Sequence, residues 1–98
     1  MVKHIVTFKL KGDAATRRAV AAQFKEALMK LPAVIDVLES IEVGLNDNPA
    51  EDWDVALIAR VPRMVDIDTY ARHPEHLKAA AIVAPYKEAR ACIDFEEK

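Results

Sequence analysis

The sequence predicts an α+β domain of the ferredoxin-like βαββαβ type, with one four-stranded antiparallel sheet. Three observations support this: apolar and polar residues alternate in several short segments, apolar residues follow a helical spacing in others, and prolines and glycines separate the two kinds. The 98 residues are 52% hydrophobic and 31% charged, as expected for one compact unit. We therefore assign residues 1–98 to a single domain.

The first half of the chain predicts a strand, a helix and a second strand. Residues 2–10 alternate with the period of two that is typical of a strand. Residues 14–31 predict a helix, because four apolar residues follow one another at spacings of four, four and three: Val20, Phe24, Leu28 and Leu31. Pro32 ends this helix, and residues 33–43 predict the second strand.

The second half predicts the same three kinds of element. Residues 53–61 alternate as a third strand, which stops at Pro62. Asp66 is placed to cap a short helix over residues 67–72, and Pro74 to begin a second helical segment.

The end of the chain predicts the last strand. The residue before a proline avoids helical geometry, so we expect a break at His73. Pro85 interrupts the chain again, leaving one helical turn at 86–89 before a fourth strand at 91–95.

The predicted sheet has one face that the helices leave uncovered. Residues 2–10 and 53–61 carry apolar side chains on both faces, although helices cover only one face in this arrangement. Soluble monomers rarely expose apolar patches of that extent. We therefore predict a homodimer in which a second copy covers the open face.

Charge and hydropathy exclude several classes of partner. A net charge of −2 and a pI near 5.9 predict no nucleic-acid partner and no anionic membrane partner. No apolar run approaches the roughly 20 residues that span a bilayer, and the chain starts without the apolar region of a signal peptide, so we expect a cytoplasmic protein. The single cysteine, Cys92, lies in an alternating run and is predicted to be a buried or half-buried structural thiol.

Histidine provides the strongest chemical signal in the chain. Residues 68–76 hold two of its three histidines together with Tyr70, and the third, His4, lies in the first predicted strand. Histidine titrates near neutral pH, so these segments are the candidates for acid–base chemistry.

Five segments, in this order, resemble the stress-responsive A/B barrel (Dabb) family: MVKHIVxFK at 1–9, EVGxN at 42–46, DVAL at 54–57, YxxHPxH at 70–76 and DFE at 94–96. The resemblance covers nearly the whole chain. It implies a dimeric α/β barrel whose two sheets meet around a central cavity. Many members of the family have no assigned activity, whereas a plant member closes a linear polyketide by an intramolecular aldol condensation.

The resemblance to that plant cyclase implies roles for three residues. Its acid–base histidines match His4 and His76, and its pocket tyrosine matches Tyr70. In the first turn after Pro74, His76 would feel the positive end of the helix dipole, which favours a neutral imidazole base. Tyr70 could donate a hydrogen bond to a developing enolate, and His4 could orient one of the other two groups.

Each of these residues also has a purely structural interpretation. His4 could be a hydrogen-bonded strand residue, and Tyr70 could bury its ring in the core. His73 is better interpreted as a cap of the helix that follows it. A metal site formed by His73, Glu75 and His76 is a further alternative, but Pro74 interrupts the helical spacing and no other ligand cluster is present, so we expect no metal.

We therefore predict a homodimer whose cavity binds a small apolar or carbonyl-bearing molecule, with no assigned reaction. The alternative is a cyclase, isomerase or lyase that acts on a carbonyl-bearing, polyketide-like compound through His4, Tyr70 and His76. The chain has no glycine-rich phosphate loop, so no cofactor is expected, and oxidoreductase or heme chemistry ranks last.

Overall fold

The computed structural model describes residues 1–98 and has the predicted ferredoxin-like order with a four-stranded antiparallel sheet. The strands are β1 (Val2–Leu10), β2 (Ser40–Leu45), β3 (Val55–Val61) and β4 (Lys87–Glu96). The helices are α1 (Ala14–Met29), α2 (Val65–Arg72) and α3 (Pro74–Val83). The sheet order is β2-β3-β1-β4, so β1 is hydrogen-bonded on both sides.

Helix α1 begins directly after a turn at Gly12 and Asp13. Gly12 has a φ of 109°, a left-handed conformation that glycine adopts at little cost. Asp13 then caps the helix, because its carboxylate accepts a hydrogen bond from the Thr16 N–H at 2.8 Å. The predicted apolar stripe of α1 packs onto the sheet through Val20, Phe24 and Leu28.

The core lies between the helices and one face of the sheet. The side chains of β1 alternate between this face and the opposite one, and the buried set is Val2, His4, Val6, Phe8 and Leu10. Phe8 meets Phe24 of α1 edge to face at 5.4 Å between ring centroids. His4 is therefore the one polar side chain that β1 directs into the core.

The predicted start of β2 is wrong. The strand covers Ser40–Leu45, and Leu31–Ala33 form a 3₁₀ turn instead of ending the helix or starting a strand. Ile35 and Leu38 are buried from a loop, since they follow Leu31 at the four and three residue spacing of a turn. The segment alternates like a strand, but its backbone forms local hydrogen bonds, such as the one from Ile35 N–H to Leu31 O at 2.9 Å.

The bounds of β3 and β4 also differ from prediction. β3 begins at Val55, not at Trp53, which is partly exposed. β4 begins at Lys87, so the helical turn predicted at 86–89 is absent and a 3₁₀ turn covers Ala84–Tyr86. Pairing of Lys87 with Leu10 explains the early start, because the nine-residue β1 offers partners along its whole length.

The prediction that Asp66 caps α2 is wrong. The helix begins at Val65, before Asp66, and Asp66 lies buried in its first turn. Its carboxylate accepts a hydrogen bond from the Arg63 N–H at 3.0 Å and pairs with the Arg63 guanidinium, whose hydrogen bond holds the pKa of Asp66 below its ordinary value.

The prediction of a break at His73 is confirmed. His73 is extended (φ −61°, ψ 135°), and its Nδ1 accepts a hydrogen bond from the Glu75 N–H at 3.1 Å, so it caps α3. Pro74 occupies the first turn. The structural interpretation of His73 is therefore the correct one.

The second face of the sheet carries no helix. Across its centre, cross-strand pairing aligns Ile58 of β3, Ile5 of β1 and Ile93 of β4. Ile93 is 60% exposed and Phe95 is 40% exposed. We call the three aligned residues Ile58, Ile5 and Ile93 the isoleucine row. It lies on the uncovered sheet face that the sequence predicted.

No helix of the chain combines the length and apolarity that crossing a bilayer requires.

The packing of α1 predicts a large stability effect for one residue and a small effect for its neighbour. Leu28 is fully buried and Met29 is 48% exposed. We expect Leu28→Ala to lower the free energy of unfolding by about 3 kcal/mol, because it leaves a cavity in the core. Met29→Ala should change it by less than about 1 kcal/mol. Urea unfolding followed by circular dichroism at matched protein concentration measures both, and equal effects would contradict this packing.

Candidate functional site

A cavity of about 480 Å³ lies between the buried face of the sheet and the helices. Twelve of the 17 residues around it are hydrophobic, and the polar ones come from β1, β4, α2 and α3. A volume of this size, with an apolar wall and a few polar groups, is typical of a small-molecule site. We call it the helix-side cavity.

The three predicted site residues line this one cavity. The ring centroid of Tyr70 lies 4.5 Å from that of His76 and 5.9 Å from that of His4. They come from α2, α3 and β1 respectively. The structure thus brings His4 of the first strand to two residues from the second half of the chain.

His4 is held by a carboxylate on the neighbouring strand. Antiparallel pairing places Asp94 directly opposite His4, and the Asp94 carboxylate accepts a hydrogen bond from His4 Nδ1 at 2.5 Å. In the neutral imidazole this bond assigns the proton to Nδ1 and leaves Nε2 as a free acceptor.

His76 has a similar arrangement with a different partner. Its Nδ1 donates to the Ala71 carbonyl oxygen at 2.9 Å, which again leaves Nε2 unprotonated in the neutral ring. Burial lowers the pKa of His76, the bond to Ala71 opposes that shift, and the positive charge of Arg90 lowers it further. His76 is therefore a neutral base at pH 7.

Tyr70 is the most unusual of the three residues. It is 1% exposed, and its hydroxyl is buried without a hydrogen-bond partner in the protein. Burial raises the pKa of Tyr70 far above its ordinary value, so the hydroxyl stays protonated as a donor. An unpaired buried hydroxyl is costly, and one that borders a cavity is suited to a ligand oxygen.

The sequence did not reveal the contribution of β4 to the site. Arg90, Cys92 and Asp94 line the cavity from alternate positions of this strand. The alternation itself is visible in the sequence, but the pairing of Asp94 with His4 is a property of strand register.

Cys92 is exposed, which corrects the prediction of a buried or half-buried thiol. The strand that carries it, β4, lies at the edge of the sheet and has a neighbouring strand on one side only. The Cys92 sulfur lies 3.5 Å from His4 Nδ1. Burial and the charge of Asp94 raise the pKa of the thiol, so it is protonated at neutral pH.

One cluster has the ligand types of a metal site. His4, Cys92 and Asp94 each offer one ligand atom, and these atoms lie within 4.8 Å of one another. This trio differs from the one considered in the sequence, because His73 caps α3 and Glu75 pairs with Lys78. Any metal at the trio would compete with the hydrogen bond between His4 and Asp94.

A wider groove of about 950 Å³ near the β2–β3 loop has a different character. Only three of the 16 residues around it are hydrophobic. Both of its arginines are held in ion pairs, Arg17 with Asp54 and Arg18 with Asp47, each at 3.1 Å. The helix-side cavity is the better candidate because the Tyr70 hydroxyl and the Nε2 atoms of His4 and His76 make no hydrogen bond to the protein and can bind a ligand.

The profile of the stress-responsive A/B barrel domain (Dabb) matches residues 2–97. The chain belongs to this family. Among curated proteins, none matches the chain.

Solved structures agree with the family assignment. A Bacteroides fragilis protein, described as dimeric, ferredoxin-like and of unknown function, is 48% identical, with a TM-score of 0.95 over 98% of this chain and 95% of that chain. A dimeric ferredoxin-like protein of unknown function from Thermobifida fusca is 29% identical, with a TM-score of 0.81 over 96% of this chain and 88% of that chain. Hydroxynitrile lyase from Passiflora edulis is 17% identical, with a TM-score of 0.76 over 96% and 90% of the two chains, and its likeness concerns the fold alone.

The environment of His76 predicts a measurable titration. By NMR, its imidazole should titrate below the ordinary pKa of 6.5 in the folded protein and near that value in urea. Because the folded pKa is the lower one, the stability contribution is complete above pH 6.5 and is lost as the pH falls through the folded pKa. His76→Gln should therefore lose less stability on acidification than the unchanged protein. A folded pKa above the value in urea would contradict the buried position of this ring.

Proposed function

We propose that the helix-side cavity binds a small carbonyl-bearing molecule and that His4, Tyr70 and His76 catalyse the formation of an enolate from it. The convergence of a buried, unpaired tyrosine hydroxyl and two imidazoles with free Nε2 atoms on one apolar cavity carries this proposal. The reaction class is cyclase, isomerase or lyase.

The first step is the removal of a proton next to the carbonyl group. His76 is the base, since its Nε2 is free and its pKa is lowered by burial. The C–H proton moves to His76 Nε2, and the bonding electrons move to the carbonyl oxygen. The Tyr70 hydroxyl donates a hydrogen bond to that oxygen and so stabilises the enolate.

The second step uses the enolate without any change in oxidation state. In a cyclisation, the enolate carbon attacks a second carbonyl carbon of the same molecule, and the new alkoxide takes the proton from His76. In an isomerisation, the proton returns to a different carbon. In the reverse of an aldol addition, His76 instead takes the proton of a β-hydroxyl group, the carbon–carbon bond breaks to leave an enolate, and the enolate carbon takes the proton back from His76.

The pair formed by His4 and Asp94 positions the reacting molecule. The hydrogen bond to Asp94 directs His4 Nε2 as a fixed acceptor for a hydroxyl or a protonated oxygen. The T-shaped contact between His4 and Tyr70 holds the two rings in a fixed orientation relative to each other. Asp94 acts through His4 in this scheme.

Exchange of carbon-bound hydrogen tests the first step without knowledge of the natural substrate. Methyl 3-oxooctanoate in D₂O should lose its C2 hydrogens faster with the protein than without it. We expect His76→Gln to slow the protein-dependent rate by about 100-fold or more. Tyr70→Phe should also slow it by about 100-fold, because it removes the enolate donor. NMR follows the C2 signal.

Two matched variants serve as controls for this exchange experiment. His73→Asn keeps a cap acceptor for α3, and Tyr86→Phe changes a tyrosine outside the cavity. Both should exchange like the unchanged protein. If the protein does not accelerate exchange, or if His76→Gln exchanges equally fast, the base assignment is wrong.

The open face of the sheet supports self-association. Its centre holds the isoleucine row, and an apolar groove beside Trp53 and Ala56 continues the same surface. The Bacteroides fragilis relative at 48% identity is described as dimeric. Packing of two such faces forms the dimeric α/β barrel, with one helix-side cavity in each protomer.

A single charge on the isoleucine row should separate the protomers. Ile93→Lys would bury an unpaired ammonium group in the interface, and we expect it to weaken dimerisation by at least about tenfold. Val65→Lys is the matched control, because Val65 is 61% exposed on α2, on the other side of the sheet. Sedimentation equilibrium measures both. A monomeric unchanged protein at micromolar concentration, or a dimer that tolerates Ile93→Lys, would overturn this interface.

A further inference from the structure

The charges at the cavity suggest the chemical class of its ligand. The chain has six arginines, and five of them form ion pairs: Arg17, Arg18, Arg60, Arg63 and Arg72. Arg90 is the sixth, and it forms no ion pair. It lines the helix-side cavity together with Lys87, which is also without an ion pair. The one arginine without an ion pair thus lies at the candidate site.

Arg90 lies close to the reacting groups. It pairs with Phe8 in the strand register, two positions before Cys92 on the same side of β4. Its positive charge lowers the pKa of both Tyr70 and His76, opposing the larger effect of burial on Tyr70 and adding to the effect of burial on His76. Arg90, Tyr70 and His76 therefore border one cavity, so a single ligand can reach all three.

The cavity has little negative charge to balance these two cations. Asp94 is the only carboxylate in its lining, and it already accepts a hydrogen bond from His4. The two cations outnumber this one carboxylate, so the lining carries a net positive charge. This charge disfavours a metal cation at the nearby trio and favours an anionic group.

The remaining wall of the cavity is apolar and partly made of small residues. The three alanines Ala80, Ala81 and Ala84 lie along the end of α3, and Phe24, Leu57 and Val83 line the inner part. A ligand that satisfies both regions has an apolar chain and one anionic end.

We propose that the helix-side cavity selects a carbonyl-bearing carboxylic acid with an apolar chain, whose carboxylate Arg90 binds with help from Lys87. This inference rests on the proposed function, because it assumes that the cavity binds a carbonyl compound, and it adds the charge of the substrate. The planar guanidinium accepts a carboxylate in bidentate geometry, which a lysine cannot reproduce. The carboxylate anchors one end and leaves the carbonyl group to Tyr70.

Calorimetric titration with a matched pair of probes tests the charge selection. The probes are 4-oxooctanoate and its neutral amide, 4-oxooctanamide, which have the same chain and ketone. We expect the unchanged protein to bind the carboxylate about tenfold more tightly than the amide, as a charged hydrogen bond at a partly exposed site would give. Arg90→Gln should remove this preference and leave the amide affinity unchanged.

Two further variants make the assignment specific to Arg90. Arg72→Gln is the matched control, because Arg72 is an exposed arginine on α2 outside the cavity. It should keep the full preference for the carboxylate. Arg90→Lys keeps the charge but not the bidentate geometry, and it should keep only part of the preference.

The possible outcomes separate this inference from the proposed function. If both probes bind the unchanged protein equally well, the charge selection is wrong while binding of a ketone in the cavity is supported. If the preference survives in Arg90→Gln, the role of Arg90 is wrong. If neither probe binds, both proposals fail together.

Discussion

Strand β1 is the element on which the rest of the structure depends. It is hydrogen-bonded to β3 on one side and to β4 on the other, so its orientation determines which face of the whole sheet meets the helices. Its alternating residues place Val2, Val6, Phe8 and Leu10 in the core. The same alternation sends His4 into that core, where an imidazole needs a polar partner. Asp94 of β4 provides this partner, and the cavity forms around the pair.

The site departs from an ordinary core in one residue above all. The hydroxyl of Tyr70 is buried without a partner, which costs about 1–3 kcal/mol relative to a satisfied group. This hydroxyl borders the helix-side cavity, which is why the proposed function gives it a ligand oxygen as partner. The neighbouring imidazoles each have one nitrogen engaged and the other free. A preorganised set of donors and acceptors of this kind is what an enolate-forming site needs.

Membership of the A/B barrel family does not by itself determine chemistry. Relatives at 48% and 29% identity are described as having unknown function, and the similar fold of a hydroxynitrile lyase shows that this scaffold can carry an enzyme. Function must therefore be argued from the side chains of the cavity. In this chain the free guanidinium of Arg90 is the feature that distinguishes the cavity from a purely apolar pocket. The proposed carboxylate ligand rests on this residue.

The sequence by itself determined the order of the elements, the open sheet face and the residues His4, Tyr70 and His76, because local periodicity and the segments typical of the family are encoded along the chain. It failed at residues 33–39, where the alternating apolar residues Ile35 and Val37 lie in turns and not in a strand. It also failed to predict that Cys92 is exposed and that Asp94 and Arg90 border the cavity. Only the tertiary structure decided these points, since the pairing of β4 with β1 joins residues about 90 positions apart. Strand register and edge position are set by long-range packing, which no local pattern records.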